Sequence, residues 1–254
     1  MKALITGASS GIGRDMAKYL SRLGYDLVVV ARNKEALEEL KKELKTNVEV
    51  IAMDLSKSEN CYNLYDQIKD VDILINNAGF GEFGNFVDTN LKKEISMIET
   101  NITALHILTK LYLKDMVEKD KGHIMNVASI AGFMPGPLMA TYYASKNYVV
   151  SLTRAIDKEL KKKKSNVKLS LLCPGPVNTN FNNVANVKFK AKGLSSEYVA
   201  KYAIDKMLKN KFMIIPGFWI KCTKFFAKIM PTCLIEEFCY YIQFAKNKWK
   251  WFRE

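Results

Sequence analysis

Tyr142 and Lys146 stand four positions apart, and Ser129 precedes Tyr142 by thirteen. If residues 141–161 form a helix, the phenol and the ammonium project from one face, one turn apart. A phenol titrates near ~10 in water, so at neutral pH it relays protons poorly unless a nearby cation favours its charged form. Lys146 is the cation placed to do this. Ser129 closes the apolar run 123–128, where a strand end would aim its hydroxyl at the substrate oxygen that Tyr142 protonates. Three such groups around one carbonyl carbon describe acid–base chemistry on a ketone or an alcohol. A core tyrosine beside a surface lysine has the same spacing, so the surrounding elements must decide.

Those elements begin at once. Residues 3–5 are apolar and run into Thr6-Gly7-Ala8-Ser9-Ser10-Gly11-Ile12-Gly13, after which Met16, Ala17 and Leu20 recur at helical spacing. Strand, glycine turn and helix in succession make a phosphate cradle. Gly7 permits the tight turn, Gly11 lets the backbone approach a pyrophosphate, and Gly13 lets helix and strand pack. Ser9, Ser10 and Ile12 complete the cofactor-binding turn. The second strand, residues 26–31, ends in Arg32 and Asn33. An acidic residue here would take a ribose 2′-hydroxyl, whereas arginine suits a 2′-phosphate, so NADP (NADPH) is favoured over NAD.

Residues 34–45 carry Leu37, Leu40 and Leu44 on one face of a surface helix. A third strand over 48–54 places Asp54 and Leu55 at an adenine edge; the alternative is that Asp54 or Ser56 caps the next helix. Strand 71–75 leads into Asn76-Asn77-Ala78-Gly79, where Asn77, Ala78 and Gly79 let a cofactor ribose lie against the backbone. Residues 91–119 read as one helix with Asn101 inside it. Asparagine is a poor helix-interior residue, so Asn101 is either a local defect or holds something through its amide and a water. His106 and His123 receive no role.

A fifth strand covers 122–129, and residues 130–140 follow without a charge. A sixth, 167–173, ends in Pro174, Gly175, Pro176, Val177, Asn178 and Thr179. Residues 180–196 read as a flap, Ser195 or Ser196 caps a helix to about 209, and 212–216 form a short last strand. Alternation of this kind implies an α/β fold with a parallel sheet and right-handed crossovers.

The chain has 254 residues, 48% of them hydrophobic, and a formal charge of +13. That length suits one α/β domain. The lysines are spread along the chain with no arginine-rich arm or zinc-finger spacing, so nucleic acid is not an expected partner. Five cysteines without a C-x-x-C pair, and two distant histidines, give no metal site. They read as reduced thiols in a cytoplasmic protein. Residues 2–6 already read as a buried strand, so no signal peptide is expected.

Taken together, residues 1–216 resemble the short-chain dehydrogenase/reductase family. The shared marks are Thr6-Gly-x-x-x-Gly-x-Gly13, Asn76-Asn-Ala-Gly79, Asn101, Ser129, Tyr142-x-x-x-Lys146 and Pro174-Gly-x-Val-x-Thr179. The resemblance implies a single Rossmann-type doubly wound parallel sheet flanked by helices, and a catalytic tetrad of Asn101, Ser129, Tyr142 and Lys146. It also implies Tyr142 and Lys146 at the cofactor, with Lys146 on the nicotinamide ribose, Asn101 on a water leading to solvent, and Thr179 near the carboxamide. Reversible hydride transfer between NADP(H) and a ketone or secondary alcohol follows, within a homodimer or homotetramer. A catalytically silent NADP-binding redox sensor, or an epimerase or dehydratase, are the rival readings.

Within the family the pattern is similar to reductases of hydroxysteroids and long acyl chains. The uncharged stretch 130–139, with Phe80, Phe83 and Phe86, suggests an apolar pocket wall, and Lys188, Lys190 and Lys192 are placed to meet a remote anion. Residues 217–254 form a C-terminal helical extension, read as two amphipathic basic and aromatic helices broken at Pro231. Such helices pack on a subunit, close the pocket, or lie on an anionic membrane as a peripheral contact; the first two are favoured.

Overall fold

The computed structural model describes residues 1–181, 185 and 193–247. Short apolar runs alternate with amphipathic segments, and this rhythm builds strand–helix–strand units. The chain forms β1 (Lys2–Thr6), α1 (Gly11–Arg22), β2 (Asp26–Ala31), α2 (Lys34–Glu43) and β3 (Val48–Ala52). It continues through α3 (Ser58–Gln67), β4 (Ile73–Asn76), α4 (Leu91–Ile98), a π-helical turn (Glu99–Ala104), α5 (Leu105–Glu118) and β5 (His123–Val127). A 3-10 turn (Ile130–Phe133) precedes α6 (Ala140–Lys162), β6 (Lys168–Leu172), β7 (Val177–Asn178) and β8 (Leu194–Ser195). Last come α7 (Ser196–Leu208), β9 (Met213–Ile214), α8 (Phe218–Ile229) and α9 (Thr232–Asn247).

Seven strands make one parallel sheet in the order β3-β2-β1-β4-β5-β6-β9. The chain runs outward from β1 to β3, then crosses back to β4 and continues the other way. Strand order therefore reverses between β1 and β4, and a crevice opens beyond their carboxyl ends.

Both faces of the sheet are covered, which is why β1, β2 and β4 read as nearly continuous apolar runs instead of alternating with polar residues. Ala3 and Ile5 pack with α1, α2 and α7 on one face, while Leu4 packs with α3 and α5 on the other. Leu4, Ile5, Leu37, Leu40, Leu74 and Ile75 are fully buried. Each contributes about 1.5–3 kcal/mol of transfer free energy, and together they fix the strand ends that carry the site.

The structure departs from the sequence expectation in a few places. Residues 91–119 remain helical but widen into the π turn around Asn101, whose side chain bonds outside the helix. α2 stops at Glu43, and Leu44 packs on the core from an extended segment. β3 ends at Ala52, two residues before Asp54. A second small sheet pairs β7 with β8, held also by Asn178 Nδ2 donating to the Gly193 carbonyl at 3.0 Å. The flap expected over 180–196 falls largely on residues 182–184 and 186–192, outside the described residues, as do Lys188, Lys190 and Lys192.

Candidate active site

The glycine turn after β1 is braced from the neighbouring strand. Gly7 has φ +67°, and a Cβ there would stand 2.8 Å from Ala78 Cα. Thr6 Oγ1 accepts the backbone N–H groups of Asn77 and Ala78, both at 3.0 Å. The side-chain amide of Asn77 donates to the carbonyls of Thr6 and Gly7, each at 3.1 Å. Thus the turns after β1 and β4 form one rigid unit. Ser10 begins α1 without a side-chain capping bond, leaving the helix N-terminus directed at whatever the turn holds.

That unit forms one end of a cavity of 740 Å³. Gly7, Ser9, Ser10, Gly11 and Ile12 line it, with Arg32 and Asn33 after β2, Asp54 and Leu55 after β3, and Asn77, Ala78 and Gly79 after β4. Ser129, Tyr142, Lys146, Pro174, Gly175, Val177 and Thr179 line the same space. A dinucleotide fits this donor set: a cradle that a Cβ would fill, an open helix N-terminus, and a cation at the end of β2.

Two residues expected at the ligand do not line the cavity. Gly13 serves packing, since a Cβ there would stand 2.4 Å from both the Gly7 carbonyl oxygen and Asn77 Nδ2. Asn101 is fully buried. Its Oδ1 accepts from the Phe80 N–H at 3.0 Å, and its Nδ2 donates to the Phe80 carbonyl at 2.9 Å and to Ser145 Oγ at 3.0 Å. Ser145 Oγ donates in turn to the Tyr142 carbonyl at 2.7 Å. The π turn therefore ties the loop after β4 to the first turn of α6, where Tyr142 sits. Asn33 Oδ1 also caps α2 through Ala36 N–H, and Asp54 Oδ1 accepts from Ser56; neither Asp54 nor Ser56 caps α3, whose N-cap is Lys57.

Tyr142 and Lys146 share one face of α6, as their spacing requires. Lys146 is buried, and its Nζ donates to the Val127 carbonyl at the end of β5, 3.1 Å away. Burial pulls its pKa down to about 8. Part of the Tyr142 surface faces the cavity, yet the apolar surroundings push the phenol up to about 12, against a hydrogen bond with Ser129 that acts the other way. The expectation that Lys146 lowers the phenol's pKa is therefore not met. The ammonium lies 5.9 Å from the ring centroid, and burial is the dominant cause of the phenol's shift. At neutral pH the site holds a protonated phenol above a protonated amine, an arrangement that donates a proton.

The apolar end of the cavity has several walls. Met134 and Met139 come from the uncharged stretch, Phe80 from the loop after β4, and Phe181 from beyond β7, its ring 5.4 Å from that of Tyr142. Phe83 and Phe86, expected here, do not line it; Phe86 is exposed. The remaining wall is α8 and α9, through Ile220, Phe226, Met230, Ile235 and Phe238. Gln243 Nε2 donates to Tyr143 Oη at 2.7 Å and fastens α9 beside the Tyr142 turn. Tyr143 was not singled out by the sequence, because the lysine spacing selects Tyr142; its aromatic neighbourhood was the available signal.

A family model described as short chain dehydrogenase matches residues 1–188. The human protein 17-beta-hydroxysteroid dehydrogenase 13 is 32% identical over 236 residues, covering 90% of this chain and 78% of that one. A short-chain dehydrogenase from Sphingobium yanoikuyae in complex with NADPH superposes with a TM-score of 0.79 at 29% identity, covering 85% of this chain and 88% of the other. One from Burkholderia phymatum in complex with NAD gives 0.79 at 26% identity, covering 88% and 91%.

Because the folded-state pKa of Lys146 lies below its unfolded value of 10.5, the folded chain resists protonation there. That penalty is fully present below about 8 and disappears as pH rises from about 8 to 10.5. Lys146→Met should raise stability at pH 7 by about 1–3 kcal/mol and remove this share of the rise. Denaturant unfolding across that range, without added nucleotide, checks it; identical slopes in both proteins would contradict it.

Proposed function

The chain belongs to the short-chain dehydrogenase family, and from that premise we propose that it is an NADP(H)-dependent oxidoreductase acting on an apolar ketone or secondary alcohol. The cofactor, when bound, supplies or accepts the hydride. Tyr142 donates a proton to the carbonyl oxygen in reduction and removes one in oxidation. Ser129 orients and polarises that oxygen. Lys146, anchored on the Val127 carbonyl, holds positive charge beneath the phenol and limits the build-up of negative charge on it. Asn101 acts as a positioning residue for the first turn of α6.

The observation that carries this reading is that Ser129, Tyr142 and Lys146 line one cavity with the glycine cradle. NADP is preferred to NAD on the strength of Arg32, which lines the cavity where an acidic residue would select the unphosphorylated ribose. Apolar substrates of the hydroxysteroid or long-acyl type are supported by the Met and Phe walls and by the tail helices that complete them. In this reading residues 1–216 carry catalysis and helices α8 and α9 wall the substrate end of the cavity.

Tyr142→Phe should lower turnover of a ketone by about 10²–10⁴-fold while NADPH affinity stays close to the wild type. Stopped-flow absorbance of NADPH beside a fluorescence titration checks both; undiminished turnover would remove Tyr142 from the mechanism. Arg32→Asp should move the ratio of kcat/KM for NADPH over NADH by about 10–100-fold toward NADH. An unchanged ratio would show that the 2′-phosphate is held elsewhere.

A further inference from the structure

α8 turns one side to the cavity and the other outward. Phe218, Trp219, Phe225 and Phe226 on α8, and Phe238 and Tyr241 on α9, are 54 to 79% exposed. Phe218 packs edge to face on Trp219 and Phe225 on Phe226, so α8 alone presents two exposed aromatic pairs, of the kind folded proteins keep for an interaction. Phe226 and Phe238 also line the active-site cavity, so this face adjoins it.

Beside the aromatic face lies a second cavity, 670 Å³, between α7, β9 and α8. Lys206, Lys209, Lys211, Lys221 and Lys224 line it, and among the described residues no carboxylate does. Asp205, one residue from Lys206, is held away from it by Tyr19 Oη at 2.7 Å and Lys201 at 3.0 Å. Phe225 belongs to both features, so the lysine cleft and the aromatic face are continuous. Among the described residues no helix is long and apolar enough to cross a membrane.

We propose that α8 and α9 dock on an anionic lipid bilayer, with the aromatic groups at the headgroup–acyl boundary and the lysine cleft receiving phosphate-bearing headgroups. Charge complementarity selects this occupant. A second copy joined through the same face by a two-fold axis would bring two lysine clefts together, where their charges repel. A bilayer presents apolar and anionic layers at the spacing that interfacial helices use. Entry of an apolar substrate from the bilayer through the cavity mouth rests on the oxidoreductase reading, whereas docking does not.

The test is flotation of the full chain with vesicles of phosphatidylcholine alone and of phosphatidylcholine containing one-third phosphatidylglycerol. The chain should float with the anionic vesicles, stay behind with the neutral ones, and be released by salt. Lys209→Ala/Lys221→Ala should weaken partitioning by about thirtyfold. Phe218→Ser/Trp219→Ser should abolish it, with the thermal unfolding midpoint as the control for folding. Equal flotation on both vesicles, no flotation of the wild type, or unchanged partitioning of the lysine variant would overturn the proposal. So would sedimentation showing a dimer without vesicles that the aromatic variant dissolves, since the face would then belong to a second copy. NADPH titration of the same samples reports separately on the cofactor site.

Discussion

A lysine ammonium buried at the floor of the cavity is the constraint around which the site is arranged. Removing a charge from water is costly, and a single carbonyl, that of Val127, only partly offsets the loss. The compensating structure is the sheet itself, which fixes the end of β5, and α6, which delivers Lys146 from the opposite side. Neither element can move without exposing or stranding the charge. A phenol one turn earlier on α6 is therefore held against Ser129 by the same packing that holds the amine. Chemistry and folding share this contact, and they pull on it in opposite directions, since the buried charge destabilises the fold that presents it.

The cavity joins parts of different character. Its cofactor end is built from strand termini laced by Thr6 and Asn77. The substrate end is side chains from helices, and α9 is fastened there by the Gln243–Tyr143 hydrogen bond and by burial of Ile235 and Cys239. The Gln243–Tyr143 hydrogen bond is worth about 0.5–1.5 kcal/mol net, and Cys239 Sγ adds a contact to Met134 Sδ at 3.5 Å.

Much of this was legible in the sequence because it is local. The glycine turn, the fourfold spacing of Tyr142 and Lys146, and the apolar runs of β1, β2 and β4 are patterns within a few residues, and the structure places them as their periodicity requires. Long-range effects were not legible. Asn101 read as either a local helix defect or a residue holding something through its amide and a water; the π turn that seats it on Phe80 and Ser145 depends on groups far apart in sequence. The rise in the Tyr142 pKa likewise comes from the closing of the apolar walls around it, which spacing alone does not encode. Phe86 shares its type and neighbourhood with Phe80, yet only Phe80 is drawn inward, by the bonds its backbone makes to Asn101. The tail's aromatic pattern announced amphipathic helices, but only their placement shows that one side completes the pocket.

Lysine-selective NMR, with the side-chain signals followed through a pH titration of the purified chain, tests the central claim most directly. One signal, missing from Lys146→Met, should titrate near 8, well below the usual lysine range. If every lysine titrates in the ordinary range, the amine at position 146 is solvated and the account of the site fails.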